Sequence, residues 1–302
     1  MKFRNLLSFS CLLGLCVFIL FACTPEKPSR VVRIGYMNCN NEQETLARFR
    51  PLTAWLSRRL GVEFRTVPVD TQDFEEGFRR GDFDLTHTNS LLYVMLRENY
   101  GLELLATEKR GQYGALSAGA LIARSDSGIG TLEDIRGKRL VFGPQLAPMG
   151  FLAQYDLMLR EGIDPELDLG YYGIPAGSFK HEKVVYGVYF GEYDVAAAPL
   201  LDLEVMSAEG KIDLKDFNVL AQSPLIPYCT FGASAKLDTE LREAIRRELL
   251  ALTPEDTVEI DGKRLKVLEE AWIDGYAVLA DGDYDPIRDM ARRTNMPPYQ
   301  EY

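Results

Sequence analysis

One phrase occurs twice in this chain, and it narrows the folds open to it. Gly81-Asp82-Phe83-Asp84-Leu85-Thr86 closes one helical stretch, and Gly191-Glu192-Tyr193-Asp194-Val195-Ala196 closes another much further along the chain. Each copy follows an amphipathic helix and opens an apolar run, so each reads as helix, glycine stop, short turn and buried strand. Two such units, each deep in its own half of an alternating β/α pattern, point to two similar lobes with a cleft between them. That shape suits holding a solute better than it suits a typical enzyme.

Met1 to Ala22 reads as a secretory signal rather than as part of the fold. Lys2 and Arg4 make a basic start, Leu6 to Ala22 is largely apolar, and Cys23 follows the small residue at the cut. The cysteine in that place gives the segment the form of a bacterial lipoprotein signal, with Cys23 as the lipidated first residue. Residues 23–30 are then a polar, proline-rich tether. Removing Lys2 and Arg4 takes the net charge from −11 to −13, which argues against nucleic acid and against an electrostatic grip on anionic lipid. The membrane partner is therefore reached through the N-terminal lipid, and the expected location is the cell envelope, facing the periplasm or exterior. The chain from Cys23 onward is long enough for two lobes of ordinary size, and no second apolar stretch is long enough to span a membrane.

Strand and helix signals alternate along the body. A strand is expected at Val31 to Tyr36, a helix at Glu42 to Leu60 stopped by Gly61, and a strand at Val62 to Val67. A short helix at Asp73 to Arg80 and a strand end at Leu85 to His87 follow. Thr88-Asn89-Ser90 leads into the next helix, with Asn89 or Ser90 as its N-cap. Leu116 to Ala123 crosses to the second lobe. There Thr131-Leu132-Glu133-Asp134 opens like a capping box, a helix runs from Met149 to Glu161, Ser178 caps another, and Val219 to Ile226 crosses back. Thr239 to Leu252 is a first-lobe helix, and the rest packs as a C-terminal extension. Lobe 1 is then 31–118 with 225–302, and lobe 2 is 119–224. The fold class is α/β, two lobes each with a mostly parallel sheet flanked by helices. Ligands in such sheets sit beyond the carboxyl ends of the strands, which gathers Tyr36 to Asn40, His87 to Ser90, Gly143 to Gly150 and Gly177 to His181 around one cleft.

Val141-Phe142-Gly143, then Gly150-Phe151-Leu152, His181-Glu182, the second copy of the repeated phrase and Ser223-Pro224-Leu225-Ile226-Pro227 occur in that order. The series resembles the periplasmic phosphonate-binding proteins of phosphate/phosphite/phosphonate ABC importers, from about Ile34 to Arg288. The resemblance implies two α/β lobes that close on a ligand by a hinge, a small-molecule ligand, an ABC permease as partner, no cofactor and no catalysis. It also makes His181 a donor to ligand oxygens. Two departures matter. Where the family loop carries Ser-Thr-Ser, this chain has Ala147-Pro148-Met149, without a hydroxyl and with a proline that lacks an N–H. Where the family often has an aspartate, this chain has Cys229.

The expected ligand-binding residues are Tyr36, Cys39, Thr88, Asn89, Ser90, Met149, Gly150, His181, Tyr228 and Cys229, with helix-start amides at Thr88 to Ser90 and Met149 to Phe151 facing an oxyanion. Asp84 and Asp194 read as structural carboxylates that bond nearby backbone. An alternative keeps Cys39, His87, His181 and Cys229, with Met37 and Met149 nearby, as soft ligands for a metal or metalloid sensed on behalf of a membrane receptor. No nucleophile elbow, phosphate loop or dinucleotide fingerprint occurs.

Overall fold

The computed structural model describes residues 31–301, so the signal segment, Cys23 and the tether lie outside the described residues. The chain opens with β1 (Val32–Met37), α1 (Glu42–Leu60), β2 (Phe64–Val69), α2 (Phe74–Arg80), β3 (Leu85–Thr88), α3 (Ser90–Tyr100) and β4 (Glu103–Lys109). It continues through β5 (Leu116–Ser117), β6 (Gly119–Arg124), β7 (Arg139–Val141), α4 (Ala153–Arg160), α5 (Pro165–Asp168), β8 (Tyr171–Gly173), α6 (His181–Tyr189), β9 (Val195–Pro199), α7 (Leu200–Ala208) and β10 (Phe217–Gln222). It returns through β11 (Ile226–Pro227), β12 (Thr230–Ala233), α8 (Thr239–Ala251), β13 (Thr257–Ile260), β14 (Lys263–Lys266), α9 (Val267–Ala271), β15 (Gly275–Ala277) and α10 (Asp285–Arg293).

Two sheets carry the lobes, in the orders β15-β4-β12-β3-β1-β2 and β10-β6-β9-β7-β8, with β5 and β11 paired where the chain passes between them. Each sheet is mixed rather than mostly parallel. β2, β1 and β3, like β8, β7 and β9, are parallel because helices link them; β12 and β6 run antiparallel beside those triplets because they enter from the other lobe. One face of the first sheet buries Ile34, Leu52, Leu56 and Leu249 against α1 and α8. The outer face of the second buries Ile122, Val184, Val188 and Met206 against α6 and α7. A third cluster joins α3, the second-lobe residues Phe142 and Phe151, and Tyr284, Ile287 and Met290 of the C-terminal region.

The repeated phrase makes the same joint twice. Gly81 and Gly191 stand at φ 77° and 79°, where a side chain is strained. Asp84 accepts from the Arg33 amide at 3.0 Å, and Asp194 from the Arg139 amide at 2.8 Å. Each arginine then reaches the carbonyl of its glycine, Arg33 to Gly81 at 2.8 Å and Arg139 to Gly191 at 3.4 Å. The carboxylates thus lock the turn to the first strand of each parallel triplet.

Four local expectations change. Thr131 opens only a 3-10 turn at Glu133–Ile135, because the Asp134 carboxylate folds back onto the Gly130 and Thr131 amides. The helix expected at Met149 begins with a π turn, Pro148–Leu152, before α4. Ser178 caps nothing: α6 starts at His181 behind Lys180, and the Ser178 hydroxyl bonds the Asp70 carboxylate of the first lobe instead. The C-terminal extension is a working part of both lobes. β15 becomes an edge strand of the first sheet, while α10 packs on α3 and α4. There Arg293 grips Asp156 of α4 through two bonds of 2.6 and 3.0 Å, and Arg288 holds Glu98 and Asp281.

Candidate functional site

A cavity of about 590 Å³ lies between the two sheets, at the ends of β1, β3, β4 and β9. It falls within the roughly 300–1,000 Å³ common for small-ligand sites. The first lobe supplies most of its polar wall. Arg48, on the buried stripe of α1 with Thr45, Phe49 and Leu52, turns its guanidinium between the Phe49 and Trp272 rings at 4.8 and 4.4 Å. Two of its nitrogens donate to the Ala271 carbonyl, at 3.3 and 2.9 Å. Arg110 follows β4. Burial works against its charge, but Tyr228, Glu108 and Asp202 around it outweigh burial and hold its pKa above the ordinary arginine value. Among the described residues neither arginine forms an ion pair with a carboxylate. Both keep positive charge available to the cavity.

The thiols of Cys39 and Cys229 line the same wall, and both are free. Burial pushes both up from the usual thiol range; for Cys229, Glu108 and Cys39 push further. Both are therefore protonated at neutral pH and behave as soft, weakly donating groups rather than nucleophiles. Met37 and Met149 add two thioethers. Tyr228 lines the cavity as a neutral phenol, its pKa raised first by burial.

Asn89 has both ends committed. Its Oδ1 caps α3 by accepting from the Leu92 amide at 2.9 Å, and its Nδ2 donates to the Leu146 carbonyl of the second lobe at 3.0 Å. The Thr88 hydroxyl points to the Met37 sulfur at 3.7 Å. By contrast, Ser90 Oγ, Asn38 Oδ1 and His181 Nδ1 are buried without a hydrogen-bond partner, and all three residues line the cavity. A buried polar atom left unpaired costs about 1–3 kcal/mol; of these three, His181 Nδ1 lies against Gly143 and Gly150 rather than open space.

On the second lobe, the ring of His181 lies tight against Gly143 and Gly150. A Cβ on Gly150 would fall 2.2 Å from His181 Cε1, and one on Gly143 would fall 2.6 Å away. Gly150 is therefore the bed of His181 and not a cavity-lining residue. Burial lowers the His181 pKa, so the ring is neutral at neutral pH. Of the Met149 to Phe151 amides expected to face an anion, Gly150 and Phe151 are spent: with Leu152 they donate to the Ala147 carbonyl, at 3.4, 3.0 and 3.3 Å, and Met149 is not among them. The π turn makes this possible and reduces the helix start to the Met149 amide.

Tyr36 also leaves the predicted set. Its ring stacks on Phe49 at 4.4 Å inside the first-lobe core, and its hydroxyl accepts from Thr53, because it sits on the covered face of β1. The metal alternative is corrected as well. His87 is 4% exposed in an aromatic box with Nε2 3.1 Å from Glu108 Oε2, while His181 faces two glycines. Among the described residues no group of three or more His, Cys, Asp or Glu is placed to hold a metal ion. Cys39, Thr88, Asn89, Ser90, Met149, His181, Tyr228 and Cys229 do come together around one space. Arg48, Arg110, Glu108 and Trp272 complete it and were missed. A charge at Arg48 on the i, i+3, i+4 stripe of an amphipathic helix was the readable signal.

Contacts between the lobes close the mouth. Lys180 pairs with Glu44 at 3.5 Å and lies 5.3 Å over the Trp272 ring, and Lys183 donates to Asn40 at 3.4 Å. Trp272 is 42% exposed and holds a left-handed backbone at φ 60°, uncommon without glycine.

A family profile described as "ABC transporter, phosphonate, periplasmic substrate-binding protein" matches residues 34–284. Tetrathionate sensor histidine kinase TtrS of Salmonella typhimurium is 29% identical over 233 residues, 72% of this chain; the match spans only 38% of that protein. Two solved structures share the fold. PhnD1 from Prochlorococcus marinus in complex with methylphosphonate has TM-score 0.73 at 17% identity, covering 88% of this chain and 98% of that one. A binding protein component of an ABC phosphonate transporter from Pseudomonas aeruginosa has TM-score 0.71 at 19% identity, covering 88% and 87%. No helix among the described residues is long and apolar enough to cross a membrane.

Proposed function

The chain belongs to the family of periplasmic substrate-binding proteins of phosphonate ABC transporters, and from that premise we propose that it captures a small oxyanion between its lobes and passes it to a membrane permease. The lobes are taken as 31–118 with 225–302, and 119–224, and Cys23 as the lipidated N-terminus that tethers the body to the membrane. The observation that carries the reading is the gathering of Arg48 and Arg110, neither in an ion pair among the described residues, with the unpartnered Ser90 hydroxyl on one cavity whose wall also carries Glu108 and Asp202. Arg48 and Arg110 supply the charge that the protein's overall negative field withholds. Ser90 supplies a further hydrogen bond, its Oγ–H donating to the guest. Closure by Lys180, Glu44 and Asn40 excludes water and strengthens each bond.

Calorimetry of the full chain in detergent tests this. The titrants are phosphate, phosphite, methylphosphonate, sulfate, thiosulfate and tetrathionate; the last is included because the related kinase is named for it. At least one anion binds, and Arg48→Leu weakens its binding about 100-fold. Silence from every anion overturns the reading. Lipidation is tested separately: mass spectrometry of the mature protein finds a diacylglyceryl group on Cys23, and an unmodified N-terminus overturns the anchor.

A further inference from the structure

Both cysteines among the described residues and two methionines face one cavity, alongside two arginines. Each thiol feels both guanidiniums and also the Glu108 carboxylate, and each is held protonated by burial, so the four sulfurs form a soft, polarisable surface beside two arginines. Met37 is fixed in this surface by Asn89 Nδ2 at 3.2 Å and Thr88 Oγ1 at 3.7 Å. Hard donors are scarce opposite it. Pro148 has no N–H, and the next three amides after Met149 are bonded to Ala147. A compact phosphorus oxyanion needs a dense ring of N–H and O–H groups around one head. From the backbone amides of the second-lobe loop this cavity offers few, and it has room for about 20 waters at roughly 30 Å³ each, far more than a tetrahedral ion fills.

We propose that the guest is a sulfur oxyanion with two negative charges and at least one sulfur that carries no oxygen, and that Cys39 and Cys229 are contact residues for that sulfur. Arg48 and Arg110 face the two charges, and Ser90 Oγ–H donates to the oxygens. The oxygens of such anions carry no proton near neutrality, and the Glu108 carboxylate on this wall is taken up by His87 Nε2 at 3.1 Å. The thiols act without covalent change: each stays S–H and touches the divalent sulfur as a soft partner. The inference rests on the oxyanion reading and narrows it.

The test compares anions and then removes the thiols. In calorimetry on the full chain in detergent, thiosulfate or tetrathionate binds at least about 10-fold more tightly than sulfate, phosphate or methylphosphonate. Cys39→Ser and Cys229→Ser each weaken thiosulfate about 10-fold more than sulfate. On the unaltered chain, thiosulfate slows maleimide labelling of the two thiols and phosphate does not. Phosphate or methylphosphonate as the tightest guest overturns the sulfur class and leaves oxyanion capture standing. No binding by any anion removes the oxyanion reading itself. Should the serine variants fail to fold by circular dichroism, labelling decides: protection by thiosulfate supports the proposal, and equal rates with and without it overturn the proposal.

Discussion

On the wall that the first lobe gives to the cavity, Arg48 and Arg110 stand without a carboxylate partner, and Ser90 and Asn38 keep unpartnered oxygens. On the facing wall, three amides turn back onto the single carbonyl of Ala147 and the His181 ring is sunk between two glycines. The two lobes share the same locked turn at Asp84 and Asp194, so the contrast does not come from the scaffold. It comes from what each lobe places at the strand ends. On the proposed reading the difference separates affinity from closure: one wall holds charge for the guest, and the other chiefly covers it.

The largest effect expected is on the charged wall. Arg48→Leu lowers anion affinity about 100-fold, since a bond to a charged group is worth about 1.5–3 kcal/mol, and Lys180→Ala on the covering wall does far less. Equal losses from the two in calorimetry would break the comparison. Next is Gly150→Ala. Its methyl group meets His181 at 2.2 Å, and overpacking of this kind costs about 1–3 kcal/mol, read from urea unfolding. An unchanged midpoint would show that His181 moves freely, against the covering role.

pH then sharpens the contrast. Burial keeps His181 below its ordinary 6.5, so the unfolded chain takes up this proton first. Stability from this residue is full above about pH 6.5 and is lost as pH falls from there toward the folded value. Melting temperatures measured from pH 7 to 5 fall, and His181→Gln flattens that part of the curve; an identical slope in the variant would assign the loss elsewhere. Ser90→Ala should separate two properties, because removing an unpartnered buried hydroxyl leaves stability unchanged or raised while anion affinity drops several-fold. The smallest effect belongs to Lys180→Ala, whose part-exposed pair with Glu44 is worth about 0.2–1 kcal/mol. It shows as a faster off-rate in stopped flow, with the on-rate kept.

Much of the scaffold was legible because its signals are local. The period of α1, the glycine stops and the Asn89 cap each depend on residues within a few positions, and α1 was bounded at Glu42 and Leu60 as found. The site was legible only in part. Cys39, Ser90 and His181 sit at strand and helix ends, where the parallel-sheet rule looks; Cys229, just before the antiparallel β12, was reached only through the family resemblance. Tyr36 failed because alternation along β1 sends it into the core, and one residue of register decides that. Arg48 failed from the opposite side: a charge on an apolar stripe reads as tolerated polarity until Trp272 and the Ala271 carbonyl, near the other end of the chain, are seen around it. The π turn at Pro148 was hidden because its driving contact, Gln154 Nε2 on the Met149 carbonyl at 2.6 Å, depends on packing rather than on propensity.

The grip of Arg293 on Asp156 has a mechanical meaning. Two crossing segments alone let a pair of lobes rock and also swivel about each other. A third fastening, from the last helix of the chain, opposes the swivel. The cavity mouth beside Trp272 and Lys180 lies between the two sheets that this fastening ties together.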